Sequence, residues 1–227
     1  MKYIVIGLGY FGSKLATILT SMGHEVIGID KHSERLDELK DSITTVMKMD
    51  STNINAIKSL PLKDTDAVIV AIGEDVGASI LTLSILINLK VKRIIGRAIN
   101  QLHQNILNQI GVEEIILPLE EAANHVSSML QLKSTLRIVE ISDEYAIVEV
   151  FIPEKYIDHS LETVNLEERF DLKLVAVKTP PDDGILTSIF RRSHKVDMAY
   201  NKTFHLREKD ILVLAGKIVD IKRFIES

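Results

Sequence analysis

Residues 3–12, Tyr-Ile-Val-Ile-Gly-Leu-Gly-Tyr-Phe-Gly, constrain this chain more than any other stretch: an apolar strand runs straight into three glycines spaced G-x-G-x-x-G. Gly7 permits a tight turn, Gly9 lets backbone come close to a pyrophosphate, and Gly12 lets the following helix pack against the strand. The first turn of that helix, with Tyr10 and Phe11, points its free N–H groups at an anion. Glu25-Val26-Ile27-Gly28-Ile29-Asp30 reads as the next strand and ends on a carboxylate 18 residues after Gly12. An acid there hydrogen-bonds ribose hydroxyls, and the order strand, glycine turn, helix, strand, acid separates a nucleotide site from a merely steric turn. A carboxylate at Asp30 repels a 2′-phosphate, with Lys31 beside it softening the repulsion, so adenosine or NAD-type ligands are favoured over NADP.

The rest of the first half repeats this alternation. Leu15, Ile18, Leu19 and Met22 fall at helical spacing and Gly23 ends the helix. Ser33 is expected to cap a short helix carrying Leu36 and Leu39, ahead of a strand near Thr44 to Met49 that Asp50-Ser51-Thr52 closes. A brief helix near Asn53 to Leu60 stops at Pro61, and Ala67 to Gly73 is an uninterrupted apolar strand, as in a parallel sheet covered on both faces. Asp75 to Lys90 reads as a helix apolar on most sides, hence buried or at a subunit contact. A strand Arg93 to Arg97, a helix from Asn100 to Gln109 ended by Gly111, and a strand Val112 to Leu117 follow. Six strands alternating with helices predict an α/β, doubly wound, Rossmann-like parallel sheet. Ligands in such sheets lie beyond the carboxyl ends of the strands, which selects Gly7, Asp30, Asp50, Gly73 and Arg97.

Pro118 opens a helix expected to run to about residue 133, a connector or dimerisation helix between a nucleotide-binding domain, 1–134, and a second domain, 135–227. From Leu136 the pattern changes. Leu136 to Ile141 and Tyr145 to Phe151, separated by Ser142-Asp143-Glu144, read as an antiparallel pair. A helix near Leu161 to Phe170, a strand Lys173 to Lys178, a turn at Pro180 to Gly184, a strand near Ile211 to Ala215 and a helix from Ile218 make a small α+β module.

Composition removes several classes. The 227 residues hold no cysteine, so neither disulfides nor thiolate metal sites are available. His24, His103 and His125 lack a partner at metal-binding spacing. No apolar run reaches the roughly 18 residues of a membrane span and no leader is evident, so a soluble intracellular protein is expected. A net charge of −5 without a basic stripe argues against nucleic acid. Arg191 and Arg192, with His194 and Lys195, form the one basic cluster and read as a solvated loop, or as a contact for a partner.

End to end, the chain resembles the cytosolic regulators of potassium transport called RCK or KTN proteins, of the Trk/Ktr type. The residues that carry the resemblance are Val5 to Gly12, Asp30, Asp50-Ser51-Thr52, Val70 to Asp75, Arg97-Ala98, Ile110-Gly111-Val112, Ile115 to Pro118, and Ile141 to Tyr145 at the start of the second module. It implies a non-catalytic subunit, cytoplasmic and peripheral to the inner face of the membrane. Such subunits form dimers that assemble into an octameric ring beneath a membrane-embedded potassium translocator. Exchange of ATP for ADP, or NADH for NAD, reshapes the ring and gates the pore. By the same resemblance Gly7, Gly9 and Gly12 hold phosphates, Asp30 the ribose, Asp50, Ser51, Ala71, Ile72 and Gly73 wall the adenine, and Arg97 approaches the phosphates.

Two departures bear on the ligand. Tyr10 stands where ATP-gated members often have arginine, and Leu119 where they often have an acid, with Glu120 one place later. Both turn the expectation from ATP with a divalent ion toward NAD(H), ADP or AMP. Some members bind cyclic di-AMP in the second module; Glu162 and Glu167 would repel that bis-phosphate here. Bland alternatives stand beside these roles: Asp50 as a helix cap, Arg97 in a surface ion pair, and Glu120 and Glu121 as acids favouring a helix dipole. The competing class is an NAD-dependent oxidoreductase, for which the second module offers His159, His194 and His205 in no recognisable setting.

Overall fold

Lys2–Ile6 (β1) is the central strand of the first unit, paired in parallel with Glu25–Asp30 (β2) on one side and Ala67–Val70 (β4) on the other. Its side chains alternate between two cores, Ile4 and Ile6 toward one face and Val5 toward the other, so the sheet must be covered twice. Tyr10–Ser21 (α1) and Ser33–Leu39 (α2) cover the Val5 face through Ala16 and Leu36. The other face is covered by Ile54–Lys58 (α3), Val76–Asn88 (α4) and Gln101–Gln109 (α5), through Ile57, Leu83, Leu86 and Leu107. Thr45–Lys48 (β3), Ile94–Arg97 (β5) and Glu114–Ile116 (β6) complete the order β3-β2-β1-β4-β5-β6, all pairs parallel. This computed structural model describes residues 1–131, 135–180 and 194–227, and the chain divides into two compact units, Met1–Ala122 and Ala123–Ser227.

Pro118–Gln131 (α6) opens with Glu120 and Glu121 in its first turn. The second unit is an antiparallel sheet in the order β10-β9-β11-β8-β7, built from Thr135–Glu140 (β7), Tyr145–Phe151 (β8), Lys173–Thr179 (β9), Lys195–Asp197 (β10) and Ile211–Lys217 (β11). The turn between β7 and β8 is held by Ser142, whose hydroxyl accepts from the N–H groups of Glu144 and Tyr145. Leu161–Val164 (α7), Leu166–Phe170 (α8) and Ile218–Ile225 (α9) pack on the face that carries Ala146, Val148 and Val150. There Phe224 stacks on Tyr156 and meets Phe170 edge-on, at centroid distances of 5.5 and 5.2 Å.

The α/β fold class and the antiparallel pair in the second module are as expected from the sequence, and three local readings are corrected. The helix expected from Leu161 to Phe170 is two helices, broken at Asn165, which takes a left-handed conformation (φ 48°, ψ 62°) that asparagine tolerates. Ser33 is the first residue of α2 and not its cap; His32 occupies the cap and Ser33 Oγ accepts from Lys48 Nζ at 2.7 Å. On α1, Leu15 and Leu19 pack against the core beside the buried Gly12 and Ala16 as expected, whereas Ile18 and Met22 are exposed. Strand β10 was not expected, being three exposed residues on a sheet edge with no alternation to read. The expected turn from Pro180 to Gly184 and the Arg191-Arg192 pair fall, apart from Pro180, outside the described residues. Among those residues no helix is long and apolar enough to cross a membrane.

Candidate functional site

The turn after β1 is fixed by backbone before any ligand is considered. Gly7 has φ +91°, its N–H donates to the Ile29 carbonyl at 2.8 Å, and a Cβ on it would lie 2.9 Å from Ile72 Cγ1. Gly12, in the first turn of α1, faces the Gly7 carbonyl oxygen so closely that a Cβ would overlap it. Gly9 caps α1 with no side-chain hydrogen bond, and the first turn of the helix holds no acid. The helix therefore presents free N–H donors and the positive end of its dipole to whatever lies above the turn.

Asp30 closes the turn from the side. It is 5% exposed, and its carboxylate accepts from the N–H of Leu8 at 2.8 Å and of His32 at 2.9 Å. The carboxylate that would recognise a ribose is thus also the group that fastens the glycine turn to the end of β2. Arg35, on α2, approaches the same carboxylate through Nη1 at 3.4 Å, while its Nη2 donates to both carboxylate oxygens of Glu74 at 2.9 Å. The hydrogen bond to Glu74 is the main reason that the Arg35 pKa rises above its ordinary value. Lys31 and Asp75 face each other nearby at 3.9 Å.

Above these groups is a cavity of about 630 Å³, a size suited to a mononucleotide or larger ligand. Its walls come from the ends of β1, β2, β3, β4 and β5 and from the start of α6. Ile6, Ile29, Met49, Ala71, Ile72 and Ala78 make an apolar side. Ser51 is buried, its hydroxyl bonded to that of Thr82 on α4 at 2.8 Å. This bond gives the buried Thr82 hydroxyl of the otherwise apolar α4 its partner; Ser79 is buried on the same helix, and Leu81 is 56% exposed. Asp50 is exposed and accepts from the hydroxyl and the N–H of Thr52, which lowers its pKa; the cap of α3 is Asn53.

Arg97 crosses from β5 over the ring of Phe11, 5.4 Å from its centroid. It donates weakly to the Ala71 carbonyl at 3.4 Å, and its Nε is buried without a hydrogen-bond partner among the described residues. A Cβ on Gly73 would lie 2.8 Å from Arg97 Nη1, so a side chain there would push the guanidinium aside. Among the described residues Arg97 makes no salt bridge, and no cluster of His, Cys, Asp or Glu could hold a metal ion.

Gly7, Gly9, Tyr10, Phe11, Asp30, Lys31, Asp50, Ser51, Ala71, Ile72, Gly73 and Arg97 all line this one cavity. Gly12 and Glu120 do not: Gly12 lies beneath the turn, and Glu120 is exposed while Pro118 and Leu119 reach the lining. The sequence reading did not name Arg35, Glu74 or Asp75 as site residues, nor His32, Met49 or Thr52. Glu74 and Asp75 follow Gly73 directly, and the adjacency of β1 to both β2 and β4 is the signal that would have brought Arg35 opposite them.

The profile of the TrkA-N domain matches residues 3–118, a span that holds the glycine turn, Asp30, Arg35, Glu74 and Arg97. The chain belongs to the TrkA-N family. It is similar over nearly its whole length to two proteins of Bacillus subtilis (strain 168). It is 31% identical to Ktr system potassium uptake protein A over 225 residues, and 30% identical to Ktr system potassium uptake protein C over 223; each alignment covers 98% of this chain and 95% of the relative. In fold it is similar to the GsuK RCK domain, with a TM-score of 0.66 at 15% identity over 100% of this chain and 48% of that one. The GsuK channel bound to NAD gives a TM-score of 0.65 at 14% identity over 100% of this chain and 39% of that chain. The chain therefore spans less than half of those solved chains and almost all of its Ktr relatives. The resemblance read from the sequence is borne out, and this TrkA-N member is homologous to Ktr potassium uptake proteins.

Proposed function

We propose that this chain is the nucleotide-sensing regulatory subunit of a Trk/Ktr-type potassium uptake system. In this reading NAD(H), or ATP, ADP or AMP, binds in the cavity above the glycine turn, and the chain catalyses nothing. It works on the cytoplasmic side of the membrane as a dimer assembled into an octameric ring against the translocator, with a nucleotide-binding domain, 1–134, and a regulatory domain, 135–227. The ligand that opens the pore must bind the open ring more tightly than the closed one, since a ligand moves an equilibrium only by its differential affinity.

The observation that carries the reading is the match between the cavity and an adenine nucleotide. An uncapped helix N-terminus and the unpartnered Nε of Arg97 suit phosphate. Asp30, fixed by two backbone N–H donors, has remaining lone pairs for ribose hydroxyls. The apolar wall of Met49, Ala71 and Ile72 suits a base. Near-complete alignment with the Ktr proteins supports the potassium-uptake setting.

The test is a thermal-shift titration with ATP, ADP, AMP, NAD and NADH, on the parent and on Asp30→Asn. Each shift is read against that protein's own ligand-free midpoint, because Asp30 also holds the turn. The parent is expected to rise by about 5 °C at a hundredfold excess over Kd, and the variant to lose most of that rise. Equal shifts in both would remove Asp30 from the site. Oxidation of NADH by the parent in the presence of a reducible substrate would favour the oxidoreductase reading instead.

A further inference from the structure

The cavity suits a nucleotide in shape but not in charge. Its lining carries three permanent cations, Lys31, Arg35 and Arg97, against four carboxylates, Asp30, Asp50, Glu74 and Asp75. A phosphate entering above the glycine turn would meet a net negative surface.

The sheet order explains how the charges come together. Because β1 lies between β2 and β4, the segments that follow β2 and β4 flank the glycine turn, and side chains from the two can pair across it. Two pairs do so, Arg35 with Glu74 at 2.9 Å and Lys31 with Asp75 at 3.9 Å. The Arg35–Glu74 pair lies directly above Gly9: a Cβ placed there would be 3.8 Å from Arg35 Nη1 and 4.0 Å from Glu74 Oε1. Glu74 thus sets a carboxylate on a guanidinium beside the open N-terminus of α1, which is the position and chemistry of a bound phosphate.

We propose that Arg35 is a phosphate-binding residue of this site, held by Glu74 until a nucleotide arrives, and that the 5′-phosphate of an adenine nucleotide replaces the Glu74 carboxylate on it. The inference rests on the nucleotide reading of the cavity given above. The exchange is cheap on the protein side, since the Glu74 side chain is 76% exposed and swings into water. Arg35, with 32% of its side chain exposed and anchored to Asp30, stays in place and trades one oxyanion for another. The swap also removes the negative charge nearest to the incoming phosphate. Affinity for phosphorylated ligands is therefore set below what the cradle could deliver, and position 74 is where it is set.

The test is isothermal titration of AMP, adenosine and adenosine 2′-monophosphate into the full chain, as the parent, Glu74→Gln, Arg35→Gln and the double variant. Glu74→Gln keeps the size of the side chain and leaves Arg35 paired with Asp30, so the fold is not at stake. Glu74→Gln is expected to tighten AMP about three- to tenfold, with adenosine changed by less than about twofold. Arg35→Gln is expected to weaken AMP and to abolish the gain from Glu74→Gln in the double variant, a coupling that a purely structural role would not produce. An unchanged or weaker AMP affinity in Glu74→Gln, an equal gain for adenosine, or a gain confined to the 2′-phosphate would overturn the proposal while leaving the nucleotide reading intact. If none of the three compounds binds the parent or Glu74→Gln while another nucleotide raises the thermal midpoint, this inference falls alone; if no nucleotide does so either, the nucleotide reading falls with it.

Discussion

His103, on α5, is 2% exposed, and both ring nitrogens lack hydrogen-bond partners among the described residues. Burial lowers its pKa, so the folded protein holds the ring neutral. The folded state then binds fewer protons than the unfolded one in the range beneath the ordinary histidine value of about 6.5. Stability is complete above that value and falls as the pH drops toward the lowered pKa. Urea midpoints measured from pH 7.5 to 5.5 are expected to fall more steeply for the parent than for His103→Leu, which removes the titrating ring and keeps an apolar group in place. Parallel slopes would assign the loss to other groups. Asp30 is the opposite kind of buried polar residue, since its carboxylate is satisfied by two backbone N–H groups and by Arg35; a variant there is expected to disturb folding and recognition together.

At the scale of elements, the contact of α1 with β1 decides whether the turn can form at all. Gly12→Ala would drive a methyl group into the Gly7 carbonyl oxygen, backbone against backbone, with no flexible side chain to yield. A loss of about 3 kcal/mol in unfolding free energy is expected from denaturant titration; a loss under about 1 kcal/mol would mean that α1 can shift outward. This contact was legible in the sequence because glycine spacing and an apolar strand are local signals. The same holds for β2 and β8, whose limits coincide with the sequence reading because turn residues bracket them. The break at Asn165 was not legible, since the apolar spacing on either side of it still suits one helix and only a single residue's φ departs. Arg35 was missed for a different reason: its partner lies 39 residues away in the segment after β4, and only the order of strands in the sheet brings the two side chains together.

At the scale of the whole molecule, each unit owns its core. The buried residues of the first come from β1 to β6 and the helices between them, and those of the second from the antiparallel sheet and its three helices. Among the described residues each buried cluster draws on one unit. A fragment of residues 1–131 is therefore expected to fold alone, with a cooperative melt by circular dichroism and an AMP affinity within about threefold of the full chain. A fragment that stays unfolded, or folds and no longer binds AMP, would show that the first unit depends on the second. The cavity is walled within the first unit, from Ile6 to Leu119, and its parts differ in how freely they can vary. Gly7, Gly12 and Asp30 are locked to the backbone, whereas Glu74 and Lys31 stand at the tips of loops with most or half of each side chain in solvent. Inheritance can therefore act on the two sets separately: a lineage can redraw the electrostatic entrance one codon at a time, and trade one metabolic signal for another, without ever passing through a chain that fails to fold.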